Sequence, residues 1–160
     1  MSNNAIDITI TGKQTLDNLV DGLSKIDKDK AIKSGLSKGG AVIKKGGMRR
    51  LQQRMKAGSK GQTGNLLRSF TTRVKKFKPG VLIGFRQGKD GGNHSHLVDL
   101  GTVERMREQK SKKAGGKGGR TGAARPNYFW SETKEADMYK AKEEMETGIS
   151  QFVEKVKTRL

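Results

Sequence analysis

The sequence predicts an α+β fold, in which a small antiparallel β-sheet packs against a long helix of the N-terminal half and a long C-terminal helix. Three observations predict it. Apolar residues alternate with polar ones in three short segments, and they recur at three- and four-residue steps in two long segments. The length of 160 residues fits one domain over 1–160.

The first strand is predicted at 5–11, where isoleucines alternate with polar residues until Gly12. A short amphipathic helix follows from Thr15, and its predicted apolar face consists of Leu16, Leu19, Val20, Leu23 and Ile26. Residues 70–75 and 81–85 alternate in the same way on either side of a Pro-Gly break. They predict an antiparallel hairpin, because so short a connection excludes a parallel crossover.

The long helix of the N-terminal half is predicted over 29–56, and it contains five glycines: Gly35, Gly39, Gly40, Gly46 and Gly47. Each glycine costs about 1 kcal/mol relative to alanine inside a helix. Another element must therefore pack closely on these glycines, either in the same chain or in a neighbouring subunit. We favour the neighbouring subunit.

The C-terminal helix is predicted over 127–158, with Pro126 in its first turn. Before it, the apolar segment 96–100 stops at Gly101, which has the position of a helix-terminating glycine. Residues 104–125 consist largely of glycine and lysine and contain no core-forming run. We expect a flexible basic loop there, with one short strand near 102–108.

The charge of the chain is concentrated in its middle. The net charge is +18, yet residues 31–125 hold 24 basic and four acidic side chains, and each end sums to −1. Such a block favours nucleic acid or an acidic protein surface, and a solvated face is the alternative. The residues singled out as contacts with DNA or an acidic partner are Lys44, Lys45, Arg49, Arg50, Arg54, Lys112, Lys113, Lys117 and Arg120.

The sequence gives little support for an enzyme or for a membrane protein. No apolar run approaches the roughly 20 residues that span a bilayer, and the chain has no cysteine for disulfides or thiolate metal sites. His94, His96 and Asp99 form the candidate metal or acid–base cluster, but a zinc site needs further ligands at suitable spacing. We expect no catalytic, cofactor or metal site, with His96 packed or hydrogen-bonded locally and His94 solvated.

Four landmarks follow one another in the order TGNLLRSF at 63–70, VLIGF at 81–85, HLVDLGT at 96–102 and ARPNYFW at 124–130. Over roughly residues 30–160, this order resembles the tail-completion, or head-tail joining, proteins of long-tailed bacteriophages. The chain departs from the family pattern by its long basic loop and by Asn127 and Tyr128 between proline and phenylalanine. The resemblance implies structural roles for Gly64, Leu66, His96, Gly101, Thr102, Arg125, Pro126 and Phe129.

The resemblance also implies a function. It predicts a non-enzymatic virion protein of the phage neck that forms a homo-oligomeric ring, usually sixfold, around the DNA channel. Its partners would be the head connector and the tail-tube or tail-terminator proteins, with non-specific contact to packaged DNA, and it would reside in the host cytoplasm before assembly. A basic cytosolic nucleic-acid-binding protein is the alternative, and a small hydrolase that uses the histidine pair is a third hypothesis.

Overall fold

The computed structural model describes residues 5–9, 13–55, 64–77, 79–88, 91–104 and 122–159. The chain is an α+β protein, as predicted. Its elements are β1 (Ile6–Thr9), α1 (Lys13–Val20), α2 (Lys25–Arg54), α3 (Asn65–Arg68), β2 (Phe70–Val74), β3 (Gly80–Phe85), α4 (Ser95–Leu100) and α5 (Phe129–Lys157).

The sheet has the order β1-β3-β2, and both neighbours run antiparallel to β3. The predicted hairpin is confirmed, with Phe70 opposite Phe85. β1 pairs with the other edge of β3, where Ile6 lies opposite Ile83. Because side chains alternate along a strand, one face of all three strands carries the apolar residues that pack on α2. The predicted residues 10 and 11 of the first strand lie outside the described residues.

α2 begins four residues before its predicted start, because Ser24 caps it. The Ser24 hydroxyl accepts a hydrogen bond from the amide of Asp27 at 3.2 Å and donates one to its carboxylate at 2.7 Å. The earlier helix ends at Val20, before a turn in which Gly22 has a φ of +80°. Ile26 therefore belongs to α2 and is 67% exposed, so its predicted place on the first helix's apolar face is wrong.

The glycines of α2 allow α5 to approach closely. A β carbon at Gly35 would lie 2.5 Å from the carbonyl oxygen of Met145, and one at Gly39 would lie 2.7 Å from that of Ala141. Since these obstacles are backbone atoms, a side chain would push the two antiparallel helices apart.

Other glycines of α2 lie against the sheet and the aromatic residues. A β carbon at Gly40 would lie 2.9 Å from Thr72, and one at Gly47 would lie 2.8 Å from Trp130. The elements that cover the glycine face thus belong to the same chain. The expectation that a neighbouring subunit covers them is wrong.

The core lies between the sheet, α2 and α5, and a smaller cluster lies between α1, α2 and α5. Four aromatic rings meet where α5 begins, with centroids 4.6–6.5 Å apart: Phe70, Phe85, Phe129 and Trp130. The smaller cluster contains Val20, Ala31, Ile149 and Val153. None of the described helices combines the length and the apolar character needed to cross a membrane.

α5 begins later than predicted. Its first residue is Phe129, and Tyr128 before it has a left-handed φ of 55°. Pro126 lies outside the helix, so its predicted place in the first turn is wrong. The chain turns first onto α4, where the amides of Asn127 and Tyr128 donate to the carbonyl oxygen of Asp99 at 3.0 and 2.8 Å. Most of the predicted flexible loop at 104–125, namely 105–121, lies outside the described residues, as does most of the strand predicted near 102–108.

Candidate functional site

Three of the sequence motifs come together at one end of the protein, although they are far apart in the chain. α3 starts after Gly64, which has a φ of +72°, and α4 and the segment before α5 lie beside it. A pocket of about 290 Å³ has residues of all three motifs in its wall, among them Leu66, Val98 and Asn127. The motifs therefore form one structural unit.

Asp99 connects two of these motifs by capping α5. Its side chain is buried, with 1% of its surface exposed. One carboxylate oxygen accepts from the amides of Trp130 at 2.7 Å and Ser131 at 3.3 Å, and the other accepts from the Ser131 hydroxyl at 2.6 Å. The first amides of a helix lack partners within the helix, and a negative charge is favoured there. Asp99 thus supplies from α4 the cap that Tyr128 does not provide.

From the sequence, Asp99 was a candidate for metal binding or acid–base chemistry, beside the two histidines. Its spacing from Trp130 along the chain gives no signal of the cap, because the contact is tertiary. His94 and His96 are both exposed, as expected of His94, whereas His96 is not packed in the interior. Among the residues that the structure describes, no group of three or more potential ligands could hold a metal ion.

The backbone around Gly101 joins α4 to the segment before α5. Gly101 has a φ of +77°, and a β carbon there would lie 2.6 Å from the carbonyl oxygen of Ala124. The amide of Thr102 donates to that oxygen at 2.9 Å, and the Thr102 hydroxyl accepts from the amide of Ala124 at 2.9 Å. Gly101 and Thr102 therefore have structural roles, whereas Arg125 and Pro126 are exposed.

Phe129 and Leu66 are the two large apolar residues among those to which the resemblance assigns structural roles, and both are buried. Phe129 is fully buried among the aromatic rings described above, and Leu66 lies beneath the loop at Gly92, where a β carbon would be 3.1 Å from it. These two side chains attach the motif unit to the core.

Two of the cations that the sequence singled out have partners inside the protein. Arg50 forms a bidentate ion pair with Asp137 and a hydrogen bond to Thr133 at 3.2 Å. The hydrogen bond to Asp137 raises the pKa of Arg50 above its ordinary value, because it stabilises the charged guanidinium. Arg54 donates to the carbonyl oxygen of Asn127 and to the carboxylate of Glu132.

The Arg50 ion pair also explains one glycine of α2. Both side chains of the pair are 14% exposed, and the Asp137 carboxylate occupies the space that a β carbon at Gly46 would need. Part of the positive charge in the middle of the chain therefore stabilises the contact between α2 and α5. This use of a basic residue was not predicted from the sequence.

The other predicted cations of α2, Lys44, Lys45 and Arg49, lie on its outer surface. We call these three residues, together with Lys33, the basic face of α2. None of the four has an ion-pair partner among the described residues, and α2 contains no acidic residue after Asp29. Lys112, Lys113, Lys117 and Arg120 lie outside the described residues.

A groove of about 440 Å³ runs beside the basic face, between α2 and α5. Lys38, Lys45 and Arg49 line one wall, and Lys140 and Glu144 line the other. Cations predominate in this groove, so it can attract an anionic partner.

The structure thus gives the motif unit structural roles and leaves the basic face of α2 without an ion-pair partner among the described residues. Comparison of the chain with protein-family models, with curated proteins and with solved structures found no match.

Proposed function

We propose that this protein is a structural subunit of the neck of a long-tailed bacteriophage. Copies of it form a ring, sixfold by the resemblance, that joins the tail to the head connector around the DNA channel. The observation that supports this proposal is the convergence of three motifs of the head-tail joining type in one unit, which is organised around Asp99 and Gly101.

The chemistry of the motif unit supports a structural role. The Asp99 carboxylate caps a helix. The buried hydroxyl of Ser69 donates to the carbonyl oxygen of Leu66 at 2.7 Å, and that of Thr133 donates to the carbonyl oxygen of Phe129 at 2.6 Å. These polar groups stabilise helix ends and turns, as expected of a subunit with a structural role.

Removal of the gene from the phage that encodes this chain tests the proposal. DNA-filled heads and complete tails should accumulate as separate particles, and expression of the wild-type chain from a plasmid should restore joined virions. Electron microscopy of the lysate distinguishes these outcomes. Joined, infectious particles in the absence of the chain would refute the proposal.

Complementation by a variant that carries His94→Ala and His96→Ala separates the structural role from a catalytic one. Both histidines are exposed, so the variant should fold and should restore joined virions. Failure of this folded variant to complement would favour the hydrolase hypothesis.

Nucleic-acid binding is the second candidate, and the basic face of α2 favours it. Each phosphate neutralised by a lysine or arginine releases counterions, so the affinity for DNA should fall steeply as salt rises. Fluorescence anisotropy with a duplex of random sequence measures this. Submicromolar affinity that is lost on replacement of Lys44 and Lys45 by glutamate would support this function, and no binding at physiological salt would exclude it.

A further inference from the structure

The outer side of α5 carries a charge opposite to that of the basic face. Successive residues of a helix are rotated by about 100°, so Glu132, Lys157 and four further acidic residues lie on the side of α5 opposite Ala141. Glu132 pairs with Arg54. We call the other four acidic residues the acidic face of α5: Glu135, Glu143, Glu146 and Glu154. None of the four has an ion-pair partner among the described residues.

No ion pair joins the two charged faces within one copy, among the described residues. α5 turns Ala141, Met145 and Ile149 toward α2, where they meet Gly35 and Gly39. The acidic face therefore points away from α2, whereas Lys45 and Arg49 of the basic face line the groove between the two helices. Charges that have no partner in one copy can be compensated by another copy.

The faces also match in length. A helix rises about 1.5 Å per residue, so the basic face from Lys33 to Arg49 extends about 24 Å and the acidic face from Glu135 to Glu154 about 29 Å. Each face has four charges. A large apolar side chain is exposed on each helix: Ile26 of α2, about two turns before Lys33, with 67% of its surface exposed, and Tyr139 of α5, within the acidic face, with 75%.

We propose that the basic face of α2 in one copy docks on the acidic face of α5 in the next copy, and this inference rests on the proposed ring function. Because two different surfaces meet, the contact is heterologous, and a heterologous contact closes into a ring when its rotation allows. Charge complementarity sets the orientation and the partner. The exposed Ile26 and Tyr139 add apolar contact area, since tyrosine in particular contributes strongly to interfaces.

Charge reversal on each face tests the proposal. The first variant carries Lys44→Glu and Lys45→Glu, so the four charges of its basic face sum to zero. The second carries Glu143→Lys and Glu146→Lys, so the four charges of its acidic face sum to zero. Each variant alone should self-associate roughly 100-fold more weakly than the wild type, because the altered face no longer attracts its partner face. Analytical ultracentrifugation at 50 mM and 500 mM salt measures this association.

Mixing the two variants supplies the decisive result. In an equimolar mixture, the altered face of the first variant can meet the altered face of the second, where the substituted residues have opposite charges, and the two unaltered faces can also meet. Copies of the two variants should therefore alternate, and association should return. A sixfold ring accommodates such alternation. Native mass spectrometry should then show equal numbers of the two variants in each assembly. Recovery of association on mixing would show that both variants are folded, so misfolding would not explain their weak self-association.

A control variant with Lys76→Glu and Arg86→Glu lowers the net charge as much as the first variant does, at exposed positions outside both faces. It should associate like the wild type.

If the wild type forms rings and both reversed variants do so too, this interface is wrong and the ring function stands. If neither the wild type nor the mixture associates at 50 mM salt, the interface is wrong, and the gene-removal experiment decides the neck function separately. Loss of DNA binding in the first variant without any change in self-association would assign the basic face to DNA instead.

Discussion

Replacement of Gly39 by alanine tests how closely α2 and α5 pack. The added β carbon would lie 2.7 Å from the carbonyl oxygen of Ala141 and 3.3 Å from the β carbon of Met145. Ordinary contact begins at 3.4 Å, so α5 would have to move by about 0.7 Å. The obstacle is backbone inside a helix, and no side-chain rotation can remove it.

Two opposing effects determine the magnitude. Alanine is favoured over glycine inside a helix by about 1 kcal/mol. Overpacking of a well-packed interface costs about 1–3 kcal/mol, and a clash with backbone belongs at the upper end of that range. The net loss in the free energy of unfolding should be about 2 kcal/mol, which lowers the melting temperature of a chain of this size by about 4–8 °C.

Urea denaturation followed by circular dichroism measures the change, with Ser37→Ala as the matched control. Ser37 lies two residues away on the exposed side of the same helix. Its replacement should be neutral or stabilise the protein by up to about 0.5 kcal/mol. Gly39→Ala should thus lower the free energy of unfolding, whereas Ser37→Ala should leave it unchanged or raise it. A Gly39→Ala protein as stable as the wild type would refute the close approach of the helices.

Three further predictions follow from the motif unit and the ion pair. Asp99→Ala should lower the free energy of unfolding by about 2–3 kcal/mol, because the first turn of α5 loses its buried acceptor. Asp99→Asn should lower it by less. Equal losses of the two variants in urea denaturation would contradict the cap. A double-mutant cycle with Arg50→Ala and Asp137→Ala should give a coupling energy of about 1–3 kcal/mol, whereas additive losses would contradict a bidentate pair. Gly64→Ala should lower the free energy of unfolding by about 1–2 kcal/mol because of its left-handed backbone alone. Gly101→Ala should lower it more, because its β carbon also meets the backbone. Thermal denaturation measures both losses, and a larger loss for Gly64→Ala would contradict the prediction.

The sequence and the structure agree where one local pattern determines an element. The alternation around β2 and β3 predicted the hairpin, and the helical periodicity predicted both long helices. The ends of the helices were predicted less well. α2 starts at a Ser24–Asp27 cap that the sequence contains but that periodicity alone does not show. α5 starts after Pro126 because backbone hydrogen bonds to α4 hold the preceding residues, and such contacts leave no trace in the local pattern.

The site was predicted only in outline. Gly101 and Thr102 were chosen from a resemblance, and the structure gives each a specific contact with Ala124. The cap by Asp99 was missed, because it joins positions 31 residues apart. Arg50 was interpreted as a surface cation, since a net charge does not show which cations have internal partners.

The α+β class, the hairpin, the two long helices and the concentration of positive charge can all be predicted from the order of residues. Those properties depend on periodicity and composition, which are local quantities. Two properties become visible only in the folded chain: α5 and the sheet cover the glycines of α2, and the cations of α2 divide between an internal ion pair and an outer face. These properties depend on which distant segments meet, and only close packing determines that.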